Sequence, residues 1–381
     1  YDYDSTQMLG FTGITLDGVG GNGAGGDFLV VPTYQTFTAR PSTSSYRKGY
    51  SHANEEASPG LYAIDDLAEG SRTIDARVTA ATRTGVHEYT FDQAGTGSLV
   101  VDLRNNFGSR NGATLSVGTT AEGNTSLSGR LDGFFYNASY RMYYYAETTR
   151  PASSVQTWRD ADLSITQRTQ EGTDIGAILR FDVAAGETVG MRVTFSPISV
   201  AQARRDMAAE VAGRSFDDVH AAAKAEWNEA LGVVDIQEGP DDDPSGDLKT
   251  LFYTHLFRMN GSPINATSTD GTYRGVDGKI YSADGYTHYD SWALWDDFRK
   301  YSSIAMIYPD RFRDIAQSLV DLFAELAASD KTSLNQLTHS VPTVRWERAA
   351  VVIADAISKG SRLEGLELAY PALKAHSNGR Y

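Results

Sequence analysis

Residues 285–301, GYTHYDSWALWDDFRKY, combine aromatic rings and carboxylates at a density that an ordinary core element does not need. Aromatic faces stack on the apolar face of a pyranose, and carboxylates accept hydrogen bonds from its hydroxyl groups. The segment therefore predicts a sugar-binding site. A structural interpretation stays open beside it. In one continuous helix, Trp292 and Trp295 lie at i and i+3 and both face a core. Asp296 and Lys300 then lie at i and i+4 and form a surface ion pair.

A second candidate for ligand contact is the stretch DGVGGNGAGGD at residues 17–27, with six glycines in eleven residues. It is not a phosphate loop, because no Lys-Ser/Thr pair follows the glycines and no strand–turn–helix pattern surrounds them. Two interpretations remain. The stretch is either a long turn that needs positive φ angles, or a loop whose bare backbone approaches a ligand, with Asp27 at its exit.

The histidines do not match a metal-binding pattern. In residues 51–62, SHANEEASPGLY, the spacing of His52, Glu55 and Glu56 differs from the helical His-Glu-x-x-His motif, and the Pro-Gly pair indicates a turn. We interpret this stretch as a strand–turn–strand corner with a hydrogen-bonded His52. His87, inside a strand-like run, is also interpreted as structural. The residues themselves thus predict no metal site.

Composition excludes several classes of protein. The 381 residues are 41% hydrophobic, which is ample for a folded core, and this length favours two domains. The net charge of −15 weighs against nucleic acid and anionic membranes as partners. The absence of cysteine excludes thiol catalysis, disulfides and cysteine zinc sites. No apolar run is long enough to span a membrane. Such a composition is typical of a secreted, periplasmic or cell-surface bacterial protein.

The elements that must position these residues change type near Pro197. Before it, short runs alternate between apolar and polar residues and are separated by Gly, Asn, Asp and Pro, which predicts a β-sandwich. The predicted strands cover residues 28–34, 73–81, 87–91, 98–103, 113–117, 134–145, 177–181 and 188–195. Between residues 199 and 231, apolar residues recur at helical spacing with a break at 213–215. This pattern predicts two linker helices.

Helices dominate the rest of the chain. The predicted helices cover residues 248–259, 310–328 and 347–359, and a fourth begins near Arg362. Residues 270–280, DGTYRGVDGKI, contain two Asp-Gly pairs and predict a small hairpin. Helices that alternate with long loops favour an α/α toroid. The predicted domains are a β-sandwich at 1–197, a helical linker at 198–240 and the N-terminal part of a toroid at 241–381.

Six stretches, in this order along the chain, resemble glycoside hydrolase family 92. They are TQMLGFTGITLDGVG…GGDFLVVP, YSHANEEASPGLYAI, RTGVHEYTF, DGTYRGVDGKI, GYTHYDSWALWDDFRKYSSI and AVVIADAISKG. The resemblance implies a multidomain β + α fold class, with an N-terminal supersandwich-like β-sandwich, a helical linker and part of an (α/α)6 barrel. It also implies a calcium-dependent exo-acting α-mannosidase that trims N-glycans or related mannosides with inversion at the anomeric carbon.

The resemblance assigns roles to five residues of the sugar pocket. Asp296 matches the Trp-Asp of the family's barrel motif, which implies that it binds a mannose hydroxyl with Trp295 beside it. Asp27 and Gly20 match the glycine-rich loop that reaches from the sandwich into the site. Arg345 falls in a stretch that matches a pocket-lining segment more loosely.

The catalytic groups themselves find no match in this chain. In the family, the Glu that acts as acid, the Asp that acts as base and most calcium ligands lie well toward the C-terminus of the barrel. No Asn-Glu-Pro type motif or Asp-rich base loop occurs here in that context. We therefore expect the acid, the base and the calcium ligands beyond Tyr381, and we expect the toroid in this chain to be incomplete.

Departures from the family pattern bear on specificity. Histidines that many members carry before the glycine-rich loop are replaced by residues 13–15, Gly-Ile-Thr. The stretch VPTVRWER supplies Arg345 and Arg348, whose guanidinium groups would suit a phosphorylated mannoside. Two alternatives stay open: another sandwich-plus-toroid glycosidase that uses Asp296 or Asp297 as its acid, and a non-catalytic carbohydrate-binding protein that uses the β-sandwich.

Overall fold

A computed structural model describes residues 4–15, 25–135, 138–237, 245–292, 294–329 and 346–378. For Thr15, Phe135, Ala138, Trp295 and Asp296 it describes the backbone only. The chain divides into two compact units. The first contains residues 25–133 and 141–224 with the described N-terminal residues, and the second is built mainly from the described residues after 225.

The first unit is almost entirely β-structure. Its elements in chain order are β1 (Gln7–Met8), β2 (Ile14–Thr15), β3 (Gly25–Asp27), β4 (Leu29–Thr33), helix α1 (Thr43–Tyr46), β5 (Lys48–Gly49), a 3-10 turn (His52–Asn54), β6 (Glu55–Ser58), β7 (Leu61–Glu69), β8 (Arg72–Ala80), β9 (Thr84–Phe91), β10 (Gly95–Asp102), β11 (Ser109–Thr119), β12 (Thr125–Phe135), β13 (Ala138–Thr148), β14 (Ser154–Arg159), β15 (Asp162–Ser164), β16 (Thr169–Gly172), β17 (Ile175–Val183) and β18 (Glu187–Ser196).

These strands form two main sheets. The long sheet has the order β1-β5-β7-β8-β9-β18-β13-β12-β11-β16, with β6 paired to β7. The second sheet has the order β15-β14-β17-β10-β4, and β2 and β3 form a separate pair. In the five-stranded sheet, the inner strands β17 and β10 and the edge strand β4 are nearly continuous apolar runs with mostly buried residues, which indicates that both faces of the sheet are covered there. Val31, Val100 and Ile178 are in register there.

The two sheets pack face to face through aromatic residues. The ring of Phe28, between β3 and β4, lies 4.9 Å from Tyr144 and 5.8 Å from Phe195 of the long sheet. At Gly97 of β10, a Cβ atom would lie 2.8 Å from the ring of Phe91 in β9. The sheets approach closely at this point because Gly97 has no side chain.

Two helices follow the sandwich, α2 (Val200–Val211) and α3 (Phe216–Leu231). The α2 helix covers the outer face of the long sheet over β9 and β18. The apolar cluster at this face contains Val86, Tyr145, Ala203, Met207, Val211, Phe216 and Val219. Ser215 and Asp218 cap α3 reciprocally, since Asp218 N–H donates to Ser215 Oγ and Ser215 N–H donates to Asp218 Oδ2.

The second unit is helical with short strands in its loops. Its elements are α4 (Asp247–Met259), β19 (Ile264–Asn265), β20 (Thr272–Arg274), β21 (Ile280–Ser282), β22 (Tyr289–Asp290), α5 (Leu294–Asp297), α6 (Lys300–Ile307), α7 (Pro309–Ala328), α8 (Arg348–Ser358) and α9 (Leu366–Ser377). The twenty-residue α7 is the central element and packs against α6, α8 and α9. Its residues Ile315, Leu319 and Phe323 are completely buried.

Most predicted elements are present, and two predictions are wrong. The run 134–145 is not one strand, because β12 ends at Phe135 and β13 begins at Ala138. The fourth helix begins at Leu366 rather than near Arg362, since Gly365 before it adopts left-handed backbone angles (φ 72°) that a helix cannot continue. The predicted strand list also omits β7, β14, most of β12 and the short strands of the sandwich.

Candidate functional site

The aromatic–acidic segment, residues 285–301, is not one continuous helix. It contains β22, then α5, then the start of α6. Ser291, which directly follows β22, has a left-handed backbone (φ 67°) and ends the strand. Lys300 Nζ lies 2.7 Å from Asp297 Oδ2, three residues earlier in the chain. The continuous-helix interpretation is therefore wrong, because a strand and a left-handed residue interrupt the pattern.

The first half of this segment is anchored on α7 by a buried row of polar side chains. We call Asp314, Ser318, Asp321 and Glu325 the polar stripe of α7. Their spacing of four, three and four residues places them on one face of the helix. Three of them bind the segment: Asp314 Oδ2 accepts from Thr287 N–H at 3.0 Å, Ser318 Oγ accepts from Tyr289 N–H at 2.9 Å, and Asp321 Oδ2 accepts from the Tyr286 hydroxyl at 2.6 Å.

The fourth member of the stripe, Glu325, anchors the β20–β21 hairpin. The Tyr273 hydroxyl donates to Glu325 Oε1 at 2.9 Å, and Val276 N–H donates to Glu325 Oε2 at 2.9 Å. A Cβ atom at Gly275 would lie 2.5 Å from Glu325 Oε2, so the hairpin reaches the carboxyl only because a glycine stands there. Burial raises the pKa of Glu325 to about 8. The carboxyl is therefore mostly neutral at pH 7.

A ring stack joins the hairpin to the aromatic–acidic segment. The imidazole of His288 lies parallel to the ring of Tyr273, with centroids 3.6 Å apart and planes 9° apart. His288 Nδ1 also lies 3.7 Å from Asp321 Oδ2. Both rings are buried. The hairpin, the segment and α7 are thus held together, and this arrangement supports the backbone that leads to Trp295 and Asp296.

In the second half of the segment, Trp292 belongs to the core. Trp292 is 1% exposed and lies in an apolar cluster with Leu294, Tyr301 and Phe323. The structural interpretation of this tryptophan is therefore the correct one. It does not offer a ring face to a sugar.

Asp297 is tied to two neighbouring side chains. Its Oδ2 accepts from the Ser262 hydroxyl at 2.7 Å and lies 2.7 Å from Lys300 Nζ, which itself donates to Ser262 Oγ at 2.8 Å. A general acid must deliver a proton from its carboxyl group. An oxygen already bound by an ammonium group and a hydroxyl is poorly suited to that task, so this geometry favours a structural role for Asp297.

Asp27 is completely buried at the exit of the glycine-rich stretch. Its Oδ1 accepts from Asn106 Nδ2 at 3.1 Å and also binds the guanidinium of Arg110. Gly25 and Gly26 have φ angles of 90° and 69°, as the long-turn interpretation requires. The role of Asp27 in sugar binding stays a prediction, and its contacts with Arg110 and Asn106 give its carboxylate a structural role as well.

The other assigned residues lie outside the described part of the chain. Gly20 and Arg345 are not among the described residues, and the side chains of Trp295 and Asp296 are not described, although both belong to α5. Their roles stay predictions. The guanidinium of Arg348 stacks on Phe298, with its Cζ 4.4 Å from the ring centroid.

The acidic and histidine side chains of the described residues do not form a metal-binding cluster. Within them, no three His, Asp or Glu side chains converge to hold a metal ion. His52 Nδ1 lies 2.6 Å from Glu55 Oε2, and β6, a Pro-Gly turn and β7 form the predicted corner. His87 Nδ1 lies 2.7 Å from the Tyr89 hydroxyl. Both histidines are structural, as predicted.

Sequence reasoning missed the polar stripe of α7. The prediction of this helix considered only its apolar face, although Asp314, Ser318, Asp321 and Glu325 recur at helical spacing in the printed sequence. Polar residues at such spacing normally indicate a solvated face. Here they are largely buried, and the loop that covers them is more than twenty residues away in sequence.

Two family models together match nearly the whole chain. The glycosyl hydrolase family 92 N-terminal domain matches residues 1–196, and the glycosyl hydrolase family 92 catalytic domain matches residues 202–380. The chain belongs to glycosyl hydrolase family 92. This result confirms the resemblance found in its six sequence stretches.

Solved structures of family 92 share the fold. The family 92 glycosyl hydrolase ccman5 is 50% identical with a TM-score of 0.93, over 99% of this chain and 50% of that one. A family 92 α-mannosidase from Bacteroides thetaiotaomicron is 24% identical with a TM-score of 0.83, over 99% of this chain and 51% of that one. An inverting family 92 mannosidase from the same organism is 22% identical with a TM-score of 0.78, over 98% and 48% of the two chains.

The chain spans about half the length of these solved relatives. The predicted fold class, a β-sandwich followed by a helical region, is confirmed by this likeness. No curated protein matches the chain. Across the described residues, no helix has the length and apolar composition to cross a membrane.

Proposed function

We propose that the complete protein hydrolyses terminal α-linked mannose from N-glycans or related mannosides, with inversion at the anomeric carbon. The observation that carries this proposal is family membership across both domains, together with 50% identity to a family 92 glycosyl hydrolase over 99% of the chain. The more distant relatives that share the fold are described as an α-mannosidase and an inverting mannosidase.

Inverting hydrolysis divides the chemistry between two carboxyl groups. One protonates the leaving oxygen and the other activates a water molecule, at a separation of roughly 6.5–9.5 Å. We assign neither group to this chain. In the proposal, Asp296 binds a mannose hydroxyl beside Trp295. The polar stripe of α7 holds the loop before α5 and so positions the helix that carries both residues. Glu325 and Asp297 do not contact the substrate in this proposal; they hold neighbouring residues in position.

The proposal includes calcium and a site of action outside the bacterial cytoplasm. Calcium rests on family membership alone, since no three His, Asp or Glu side chains cluster among the described residues. An acidic, cysteine-free chain accords with secretion. Arg345 would extend the sugar pocket, and a phosphorylated mannoside is a further substrate that it would suit.

Mannose release tests the proposal. The complete protein, supplied with calcium, is incubated with α-1,2-, α-1,3-, α-1,4- and α-1,6-linked mannobiosides, and the first anomer released is identified by proton NMR. We expect β-mannose as the first product from at least one linkage. If no α-mannoside is hydrolysed, the proposal is wrong. If α-mannose appears first, the enzyme retains configuration and the inverting mechanism is wrong.

Substitution of Asp296 tests its role in the pocket. Asp296→Ala removes a charged hydrogen-bond partner of the sugar, so kcat/KM is expected to fall roughly 10- to 100-fold. The matched control is Asp284→Ala, an exposed aspartate of the same unit, which should leave kcat/KM unchanged. Equal kcat/KM values for the two variants would show that Asp296 does not contact the sugar, and they would not contradict the proposed reaction.

A further inference from the structure

The β-sandwich contains an open cavity of about 500 Å³ at the place where both sheets end. Its walls come from β11 and β16, at one end of the long sheet, and from β14 and β15, at one end of the five-stranded sheet. The volume lies in the range of small-molecule binding sites. None of its lining residues belongs to the aromatic–acidic segment or to the polar stripe of α7.

The lining offers hydrogen-bond donors and acceptors in balanced numbers. It includes Arg159, Asp162, Gln167, Gln170 and Glu171, and the rest is mostly serine and threonine hydroxyl groups. Guanidinium and carboxamide N–H groups donate, and carboxylate and carboxamide oxygens accept. With one positive and two negative side chains, the lining does not attract an anion strongly. A neutral ligand with many hydroxyl groups can bind the donors and the acceptors at the same time.

Hydrogen bonds fix part of this lining in advance. Gln170 Nε2 donates to Thr157 Oγ1 at 2.9 Å, and the Thr157 hydroxyl donates to the Gln167 carbonyl at 3.0 Å. Gln167 N–H donates to Ser164 Oγ at 3.0 Å. Thr157 is completely buried, so these bonds tie the 164–170 stretch to the sheet. Because the Nε2 of Gln170 is used in this way, its Oε1 is the atom left to accept from a ligand.

Two charged side chains of the lining are held close together by the strand register. Arg159 and Asp162 are paired residues of the β14–β15 hairpin, and both are exposed. Within the described part of the chain, neither side chain has a hydrogen-bond or ion-pair partner. A cation and an anion at adjacent positions can bind neighbouring hydroxyl groups of a sugar, one as donor and one as acceptor.

We propose that this cavity is a carbohydrate-binding site of the sandwich for a neutral oligosaccharide. The site binds the glycan and performs no chemistry on it. A glycan bound at this cavity through one part of its length would have its other part at a raised local concentration for hydrolysis. Oligosaccharide binding at this cavity does not depend on mannose hydrolysis, because the binding residues lie in the sandwich alone, whereas the concentrating role rests on the proposed function.

Binding is measured on the complete protein with the Asp296→Ala substitution, in EDTA and at low temperature, so that hydrolysis of the ligand is slow during the measurement. The probes are α-1,6-mannotriose, α-1,2-mannobiose, cellobiose and inorganic phosphate, with saturation-transfer NMR and calorimetry as readouts. We expect at least one oligosaccharide to bind and phosphate not to bind. Absence of binding by all three oligosaccharides overturns the proposal, as does phosphate binding that Arg159→Ala removes.

Variants locate the binding to the cavity. The double variant Arg159→Ala with Asp162→Ala is expected to weaken oligosaccharide binding at least tenfold. Thr169→Trp, which fills the cavity from β16, should do the same by a different route. The matched control is Arg47→Ala, an exposed arginine of the same unit outside the cavity. Binding that is unchanged in both cavity variants, with thermal unfolding also unchanged, contradicts the assignment. The rate of mannose release from a small aryl α-mannoside, measured with Asp296 intact, should be the same in the double variant, in Thr169→Trp and in Arg47→Ala.

Discussion

Two buried titratable side chains, His87 and Glu325, change the stability of the protein with pH in opposite directions. Burial lowers the pKa of His87 to about 4, while an unfolded chain has a histidine pKa near 6.5. Between these values the unfolded state binds the proton more readily. The contribution of His87 is therefore fully present above pH 6.5 and is lost as the pH falls toward 4, at up to about 1.4 kcal/mol per pH unit.

We expect His87→Gln to reduce this acid sensitivity. A glutamine retains a hydrogen-bonding group near the Tyr89 hydroxyl but does not titrate. The free energy of unfolding, measured with urea at pH 4.5, 5.5 and 6.5, should depend less on pH in the variant than in the wild type. His255→Gln, at an exposed histidine, serves as control and should keep the wild-type slope. An unchanged slope in His87→Gln would show that His87 is not the group responsible.

Glu325 acts in the other direction. Its pKa is raised to about 8, so the folded state keeps a proton that the unfolded chain releases above about pH 4.5. Its contribution to stability is present below pH 4.5 and is lost as the pH rises toward 8. Glu325→Gln keeps a neutral hydrogen-bonding group in place, so the variant should become more stable relative to the wild type as the pH increases.

Urea unfolding at pH 5, 6.5 and 8 measures this difference, with Glu367→Gln as the exposed control. Mannose release by the complete protein gives a second readout. Since Glu325 anchors the hairpin that stacks on His288, Glu325→Ala should lower kcat/KM more than Glu325→Gln does. Equal activity in the two variants would mean that the hairpin does not position the segment.

At the scale of elements, one buried ion pair joins the two sheets of the sandwich. Glu69, the last residue of β7, lies 2.8 Å from Lys48 Nζ of β5 in the long sheet. The same carboxylate accepts from Thr33 Oγ1 at 2.8 Å and Tyr34 N–H at 3.1 Å, at the end of β4 in the five-stranded sheet. The side chain of Lys48 is only 2% exposed. The pair thus fixes the relative position of the two sheets.

Glu69→Ala is expected to destabilise the protein by roughly 3–5 kcal/mol, because it leaves the Lys48 ammonium buried without its carboxylate. The double variant Lys48→Met with Glu69→Leu removes both charges and should recover much of this loss. Glu56→Ala, at an exposed position of the neighbouring strand β6, is the control. Urea midpoints measure all three. A double variant as unstable as Glu69→Ala would show that packing, and not the buried charge, causes the loss.

At the scale of the whole molecule, activity is expected to depend on bound calcium. Treatment of the complete protein with EDTA should abolish mannose release, and calcium should restore it where magnesium does not, since calcium accepts a larger and less regular set of oxygen ligands. The assay compares turnover of one α-mannoside before chelation, after it and after each metal is added. Full activity after exhaustive chelation would contradict calcium dependence.

Whether a segment forms a strand or a helix was largely predictable, because the pattern of apolar residues that distinguishes them is local. Strands alternate with a period of two and helices repeat with a period of 3.6, so the change near Pro197 is visible without knowledge of any contact. The reciprocal cap of Ser215 and Asp218 was predictable for the same reason, since its partners lie three residues apart. The prediction of one strand at 134–145 failed because the end of β12 and the start of β13 have similar residues, and alternation alone does not show where one strand ends and the next begins.

The candidate site was predicted less completely. The sequence and its family resemblance identified residues 285–301. They left Trp292 open between core and sugar contact, and the structure places it in the core. They did not identify Glu325 or Asp321, because a carboxylate on an amphipathic helix is normally solvated and only the covering loop makes it a buried anchor. The cavity between β11 and β15 was also not predicted, since residues 159–171 meet the distant strand β11 only in the folded chain.

The sequence by itself determined the change from strands to helices near Pro197, the exclusion of thiol and disulfide chemistry, and membership of glycosyl hydrolase family 92. These depend on composition, periodicity and residue order. Only the tertiary structure decided which polar residues are buried and with what partner. Asp27 binds Arg110, 83 residues away, and Tyr273 binds Glu325, 52 residues away. The physical reason is that burial and hydrogen bonding are set by which distant segments pack together, and residue spacing does not encode that pairing.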